Sequence, residues 1–384
     1  MEWRAYRKLR QHLNRMPVGF PRTLNGVEMR ILKRLFTPRQ AEIALLMGSR
    51  LESVAVIGRR ARDKHCACSP SEIEAELQQM ARRGAVLNVR RDGSEHYALL
   101  PFVVGMFEFQ LDTLSAEMYQ DTVAYFKSGF ALEYLSTAVP QTRVVPIGKS
   151  LHSVHTVATY DEIRALVERT EGRIGVAPCI CRKGKDLMDK PCRRTDRREL
   201  CLVLRDLYDH GRRQGWVKTI TTENALALLD ENERAGLVLQ PSNEMEPQFV
   251  CSCCGCCCGI LGMLKTLPEP AAFTAANYRA ELDGEACDGC GVCARRCPME
   301  AIALVHERAR IDPGCCIGCG VCVLTCKAGA IRLVPKPEPV RPPATTEALY
   351  ETIGKGKAGL AGRVKTGVKI ARQWQNRAAR RSSQ

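Results

Sequence analysis

The 384-residue chain lacks most of the features that would assign it to a common catalytic class. It shows no nucleophile elbow and no carboxylate pair, and the tail segment GKGKAG has neither the frame nor the spacing of a phosphate-binding loop. No run of 18 apolar residues occurs, so we expect no membrane span. The basic N-terminal segment lacks the apolar run of a secretory signal. We therefore expect a cytoplasmic protein.

Positive charge is concentrated at the two ends of the chain, although the net charge is +15. Residues 1–40 hold ten Lys/Arg against two acids, and residues 336–384 hold eleven against three, so the middle is close to neutral. Such ends either are simply solvated or contact nucleic acid, anionic lipid or an acidic partner.

The C-terminal tail has the pattern of a basic amphipathic helix. Its apolar positions are Leu360, Val364, Val368, Ala371 and Trp374. Such a helix could lie on an anionic membrane surface or contact an acidic partner. Five glycines between positions 354 and 367 weaken helix formation, so we expect a mobile tail instead.

Residues 28–100 have the pattern of a winged-helix-like module, in which three helical stretches are followed by a hairpin with an Asp-Gly turn. The third helix carries Glu72, Glu74 and Glu76. Because phosphate repels carboxylates, we expect a structural or docking role for this module and not nucleic-acid binding. We also expect Cys66 and Cys68 to be free thiols, and His152 and His155 to be loop or core residues.

Cysteine is the residue that the chain has in excess, with 21 copies. The number is odd, so disulfides alone cannot pair them all. In a chain expected to stay inside the cell, this excess favours metal binding over disulfide bonds.

Two copies of one cysteine motif lie near the C-terminus. Residues 287–298 read CDGCGVCARRCP and residues 316–327 read CIGCGVCVLTCK, which is one spacing, C-x2-C-x2-C-x3-C, displaced by 29 positions. Three cysteines at this spacing can wrap one iron–sulfur cubane from a single loop, while the fourth is carried by a helix to the other cluster. Zinc is the alternative, and the twofold repeat argues against it.

We therefore predict two [4Fe-4S] clusters in residues 277–335. The predicted ligands of cluster 1 are Cys287, Cys290, Cys293 and Cys326. The predicted ligands of cluster 2 are Cys316, Cys319, Cys322 and Cys297. The region resembles bacterial two-cluster ferredoxins, with Lys327 in place of the proline expected after the second run. The resemblance implies a βαβ-type repeat that exchanges single electrons at low potential.

Ten further cysteines lie in residues 176–262, and we regard them as candidate ligands of one or two more clusters. The first four are Cys179, Cys181, Cys192 and Cys201. The other six stand in the segment CSCCGCCCG, as Cys251, Cys253, Cys254, Cys256, Cys257 and Cys258. Among them Cys251, Cys254 and Cys257 repeat the C-x2-C-x2-C spacing. Ten cysteines can hold two clusters and leave two thiols free, or hold one cluster beside a redox-active thiol pair.

The combination of an N-terminal helical module, these cysteine groups and a two-cluster unit resembles a family of 4Fe-4S dicluster-domain proteins over most of residues 30–335. The resemblance implies an iron–sulfur electron-transfer protein. In CICRKG, Lys183 and Gly184 stand where the family has a more polar His/Glu pair, so tuning or proton transfer by that pair would differ here.

The sequence thus predicts an α+β multidomain protein. Its expected parts are a basic segment (1–27), the winged-helix-like domain (28–100), a mainly helical connection (101–175), a helical, cysteine-rich middle (176–262), a two-cluster ferredoxin-like domain (277–335), and a Pro-rich linker with a basic tail (336–384). The expected function is electron relay to or from a redox protein or enzyme. The alternatives are an oxidoreductase with its active site among Cys179–Cys258, and a redox-sensing winged-helix regulator.

Overall fold

The computed structural model describes residues 2–64, 68–137, 139–151 and 161–382. Cys66, His152 and His155 lie outside these ranges, so the expectations for them stay untested.

The N-terminal part is a group of helices followed by a β-hairpin. Its elements are α1 (Glu2–Arg15), α2 (Val27–Leu35), α3 (Pro38–Ala44), β1 (Glu52–Ser53), α4 (Val54–Asp63), α5 (Pro70–Arg82), β2 (Val86–Arg91) and β3 (Ser94–Leu99). Helix α5 begins with a capping box, in which the Ser69 hydroxyl accepts from the Glu72 N–H and the Glu72 carboxylate accepts from the Ser69 N–H. The three strands form an antiparallel sheet in the order β1-β3-β2. The helices and the hairpin lie where the sequence predicts them, and the winged-helix designation stays a prediction.

A mainly helical connection leads from the hairpin to the middle of the chain. It contains α6 (Ala116–Tyr125), α7 (Ala131–Leu135) and α8 (Ile163–Glu168). A single π-helical turn, Phe126–Phe130, joins α6 to α7.

The cysteine-rich middle is built on a five-stranded sheet, which corrects the expectation of a helical region. Its elements are β4 (Ile174–Pro178), α9 (Ile180–Asp186), β5 (Glu199–Leu204), α10 (Arg205–Gln214), β6 (Lys218–Thr219), α11 (Thr222–Arg234), β7 (Val238–Pro241), β8 (Phe249–Cys253) and α12 (Gly259–Lys265). The strand order is β6-β4-β5-β8-β7, and all neighbours are antiparallel. The strands span only two to six residues, and most of their residues are buried on both faces, so they lack the alternating pattern that identifies a strand in sequence.

The two cysteine motifs near the C-terminus form a small unit with internal pseudo-symmetry. It contains β9 (Tyr278–Leu282), α13 (Val292–Arg296), β10 (Ile302–Val305), β11 (Arg308–Ile311) and β12 (Ile331–Pro335). Strand β9 pairs with β12, and β10 pairs with β11, both antiparallel. Each pair therefore takes one strand from each copy of the motif.

The tail forms two helices, α14 (Thr346–Lys355) and α15 (Gly359–Ser382), where we expected a mobile segment. Specific contacts hold it to the body. The Lys357 ammonium donates to the carbonyls of Asn14 and Met16, both at 2.6 Å, and Arg363 pairs with the buried carboxylate of Glu133. In the ranges described, no helix has the length and apolarity that a membrane crossing would require.

Candidate metal centres

The predicted ligands of cluster 1 come together in the structure. The Cys293 thiol is buried, and burial raises its pKa, with a further increase from the nearby thiols of Cys290, Cys326 and Cys287. Cys326 belongs to the second motif copy, so the fourth cysteine of one run lies beside the first three of the other. Cys290 is exposed, which brings this end of the unit to the protein surface.

The predicted ligands of cluster 2 are arranged in the same way. Burial raises the pKa of the Cys322 thiol, and the thiols of Cys319, Cys316 and Cys297 raise it further. Cys319 and Cys322 are both buried, so this group lies deeper than the first. The placement matches the exchange of fourth cysteines that the spacing predicts, and the assignment of individual ligands remains a prediction.

The loops around both groups fit a thiolate-bound cluster. Gly289 and Gly318 occupy the same position in the two copies, with φ of +71° and +69°, and a Cβ there would lie 1.9 Å from the Glu307 carbonyl and 2.1 Å from the Tyr278 carbonyl. The backbone also donates to sulfur, because the Ala301 N–H lies 3.3 Å from the Cys297 Sγ. Such N–H···S hydrogen bonds stabilise thiolate charge and help to set the potential of a cluster.

A further assembly of sulfur atoms lies on the inner strands β4, β5 and β8 of the five-stranded sheet and on the residues that follow them. We call it the six-thiol ring, and its members are Cys179, Cys181, Cys201, Cys251, Cys253 and Cys258. Each thiol has two of the others as neighbours that shift its pKa, so the series of neighbours closes on itself. The six thiols are contributed by the end of β4, by α9, β5 and β8, and by the residue that caps α12. The neighbouring thiols of Cys181 and Cys201 hold the pKa of Cys179 well below its usual value.

A third assembly, the four-thiol group, consists of Cys192, Cys254, Cys256 and Cys257. Its four Sγ atoms all lie within 4.8 Å of one another. Cys254 and Cys257 are buried, whereas Cys192 and Cys256 are partly exposed. The structure therefore separates the triplet Cys251, Cys254 and Cys257 that the sequence groups by spacing, because Cys251 belongs to the ring and the other two do not.

A buried arginine lies beside thiols of both the six-thiol ring and the four-thiol group. Arg182 is fully buried on α9, and its Nη1 donates to the Ser252 carbonyl at 3.0 Å. Its Nε and Nη2 atoms make no hydrogen bond. Burial lowers the pKa of Arg182, but the thiols of Cys179, Cys254 and Cys192 outweigh that effect and raise it above its usual value. The guanidinium is thus balanced by sulfur from the ring and from the four-thiol group, a partnership that sequence reasoning missed.

A cavity of about 820 Å³ extends from the six-thiol ring between the sheet and the N-terminal part. All six ring cysteines line it, as do Glu108 and Glu244. Burial raises the pKa of each of these two carboxyl groups to about 7. Neither residue stands in a motif, so no sequence pattern indicated this cavity.

Gly184 packs directly against Tyr119, which lines the cavity. A Cβ at position 184 would lie 2.1 Å from the Tyr119 ring. Lys183 donates instead to the Leu111 carbonyl. The two residues that depart from the expected His/Glu pair therefore have packing roles here.

Comparison with known proteins concerns only the C-terminal unit. Residues 279–327 match a family model described as a 4Fe-4S dicluster domain. Iron–sulfur clusters are thereby supported. The match covers the two cysteine runs and leaves the two upstream assemblies outside it. No curated protein and no solved structure matches the chain.

Proposed function

We propose that the protein relays single electrons through iron–sulfur clusters between a redox partner at its surface and a buried sulfur centre. The observation that carries the proposal is the pair of interleaved cysteine runs in a segment that matches a 4Fe-4S dicluster domain. Two clusters in one small unit allow an electron to hop from one to the next.

The direction of the relay is inferred from burial. The exposed Cys290 gives a partner protein access to cluster 1, whereas none of the cluster 2 cysteines is exposed, and Cys319 and Cys322 are buried. Gly255 of the CSCCGCCCG segment contacts Pro298, the residue after the cluster 2 ligand Cys297, so closely that a Cβ at Gly255 would lie 2.2 Å from its carbonyl oxygen. Electrons would pass from cluster 2 across this contact into the cysteine-rich part.

The six-thiol ring is the proposed end of the relay and holds a third cluster. In the described residues no three of its sulfur atoms lie within 4.8 Å of one another. An open arrangement of this kind suits a polynuclear cluster better than a single ion, and four thiolates of the six suffice for a cubane.

An anaerobic iron count on the full chain tests the proposal. We expect about twelve iron atoms per chain, about eight from the dicluster unit and about four from the ring. Cys201→Ser should lower the count to about eight, whereas the matched variant Cys68→Ser, which lies outside all three assemblies, should not change it. If the wild type contains about eight iron atoms and Cys201→Ser does not change that number, the proposal of a third cluster is wrong. If the protein contains no iron, the proposal of an electron relay is wrong.

The cavity favours a second candidate function, an oxidoreductase that binds its substrate beside the ring. Glu108 and Glu244 have pKa values of about 7, so either could supply a proton near neutral pH. To test it, the reduced protein is mixed with candidate acceptors, and reoxidation is followed by absorbance. Glu108→Gln should slow a proton-dependent acceptor at least tenfold and leave a one-electron dye unaffected. Equal rates with every acceptor would favour electron relay alone.

The partners remain proposals. A redox protein or enzyme would dock at the exposed Cys290, and α15 would contact an acidic partner or an anionic membrane surface from the cytoplasmic side. On α5, Glu72 and Glu76 both pair with Arg39, and carboxylates on that helix remain unfavourable for binding nucleic acid.

A further inference from the structure

The four-thiol group differs from the other sulfur assemblies in how tightly its sulfur atoms are packed. The Cys254 and Cys256 Sγ atoms are 3.4 Å apart, and Cys192 lies 3.7 Å from Cys254 and 3.9 Å from Cys256. Cys256 and Cys257 are separated by 3.7 Å. A tetrahedral zinc site with Zn–S bonds of about 2.3 Å places its sulfur atoms about 3.8 Å apart, since the tetrahedral edge is about 1.63 times the bond length.

A cubane cluster would not fit this spacing. Iron and sulfide atoms stand between the thiolates of a cubane, which keeps them much farther apart than a single ion does. The comparison can be made within the chain, because no three of the dicluster cysteines lie within 4.8 Å of one another in the described residues. We propose that the four-thiol group binds one Zn²⁺ ion in a closed, all-cysteine site, separate from the iron–sulfur clusters.

The surroundings of the group supply the positive charge that such a site needs. Zn²⁺ with four thiolates carries two net negative charges, and burying them requires a counter-charge or hydrogen bonds. Arg182 lies fully buried beside Cys192 and Cys254, with its Nε and Nη2 atoms free of hydrogen bonds.

The site would join two segments that lie about 60 residues apart in the chain. Cys192 stands in the stretch 187–198, which contains no helix or strand, and the other three cysteines stand in the turn after β8. All four positions are protein ligands, which is typical of a structural zinc site and leaves no position open for a substrate. The ion would fix the turn that carries Gly255 against Pro298.

Metal analysis and zinc K-edge X-ray absorption of the full chain, purified without oxygen, test the proposal together. We expect one zinc per chain in addition to iron, with four sulfur neighbours at about 2.3 Å. Cys192→Ser should lower the zinc content at least tenfold and leave the iron count unchanged, while Cys68→Ser should alter neither. The absorption spectrum needs no variant, so a variant that misfolds does not leave the question open.

Three results would overturn the inference. The first is a wild-type protein that contains less than one zinc ion per ten chains, whether the four-thiol group is then empty or holds a single iron ion. The second is a loss of about four iron atoms in Cys192→Ser, since that would place a cubane there. The third is a zinc spectrum dominated by nitrogen or oxygen neighbours, which would locate the ion elsewhere.

Discussion

Replacement of Gly318 by alanine should empty cluster 2 while cluster 1 stays loaded. Gly318 lies in the loop between the cluster 2 ligands Cys316 and Cys319, with φ of +69°. A residue with a side chain pays about 1–2 kcal/mol in this left-handed region. Its Cβ would also lie 2.1 Å from the Tyr278 carbonyl, whereas ordinary contact begins at 3.4 Å, so the backbone of β9 has to move by more than 1 Å.

Together these effects should cost at least about 2 kcal/mol, or about a thirtyfold loss of the cluster-binding loop conformation. The assay is the iron count, which should fall by about four atoms per chain, with electron paramagnetic resonance of the reduced protein, in which the coupling between clusters 1 and 2 should disappear. Gly289→Ala should do the same to cluster 1, because its Cβ would lie 1.9 Å from the Glu307 carbonyl.

Gly284→Ala is the matched control, since nothing lies within 4 Å of a Cβ at that position. It should keep the full iron content and the wild-type spectrum. If Gly318→Ala and Gly289→Ala both kept the iron content of this control, the two loops would not need glycine to hold a cluster, which would contradict the prediction.

Three further predictions concern other parts of the molecule. Burial lowers the pKa of His210 to about 4 from a usual 6.5, so the free energy of unfolding should fall by up to about 3 kcal/mol as the pH drops through that interval. His210→Gln should flatten this part of the pH profile of the unfolding free energy. Parallel profiles for the variant and the wild type would contradict the prediction. Glu133→Gln removes the buried carboxylate that pairs with Arg363, so limited proteolysis should cut within α15 several times faster, and an unchanged rate would contradict the pairing. Val364→Asp with Val368→Asp, both at exposed positions of α15, should weaken sedimentation with anionic vesicles at least tenfold, and no vesicle binding by the wild type would end the membrane proposal.

The dicluster unit could be predicted from sequence because its information is local. Three ligands of each cluster lie within seven consecutive residues, and the fourth follows at a fixed distance. Spacing alone therefore indicates both the metal chemistry and the exchange between the copies. The capping residues of α5 were predictable for the same reason, since a capping box spans four residues.

The upstream assemblies could not be predicted in this way, because their members meet through a sheet. Cys179 and Cys201 come together when β4 pairs with β5, and Cys251 joins them because β8 pairs with β5 on its other side. These pairings connect residues far apart in the chain and leave no fixed spacing. The triplet spacing of Cys251, Cys254 and Cys257 was misleading, because it describes a loop, whereas the segment begins as a strand.

The segment CSCCGCCCG places its thiols in two separate assemblies. On β8, Cys251 and Cys253 share a face because successive side chains alternate, and both enter the ring. The next residue, Cys254, turns to the opposite side and begins the four-thiol group, which Cys256 and Cys257 complete, before Cys258 returns to the ring.

The residues between the thiols are fixed as well. Ser252 offers its carbonyl to Arg182 and its hydroxyl to Asn232, Gly255 has no room for a side chain beside Pro298, and a Cβ at Gly259 would meet the Phe126 ring at 3.2 Å. The insertion or deletion of one residue would reverse the direction of every later cysteine side chain, so each thiol would face the other assembly. The length of the nine-residue segment therefore determines which assembly each cysteine joins, as much as its composition does.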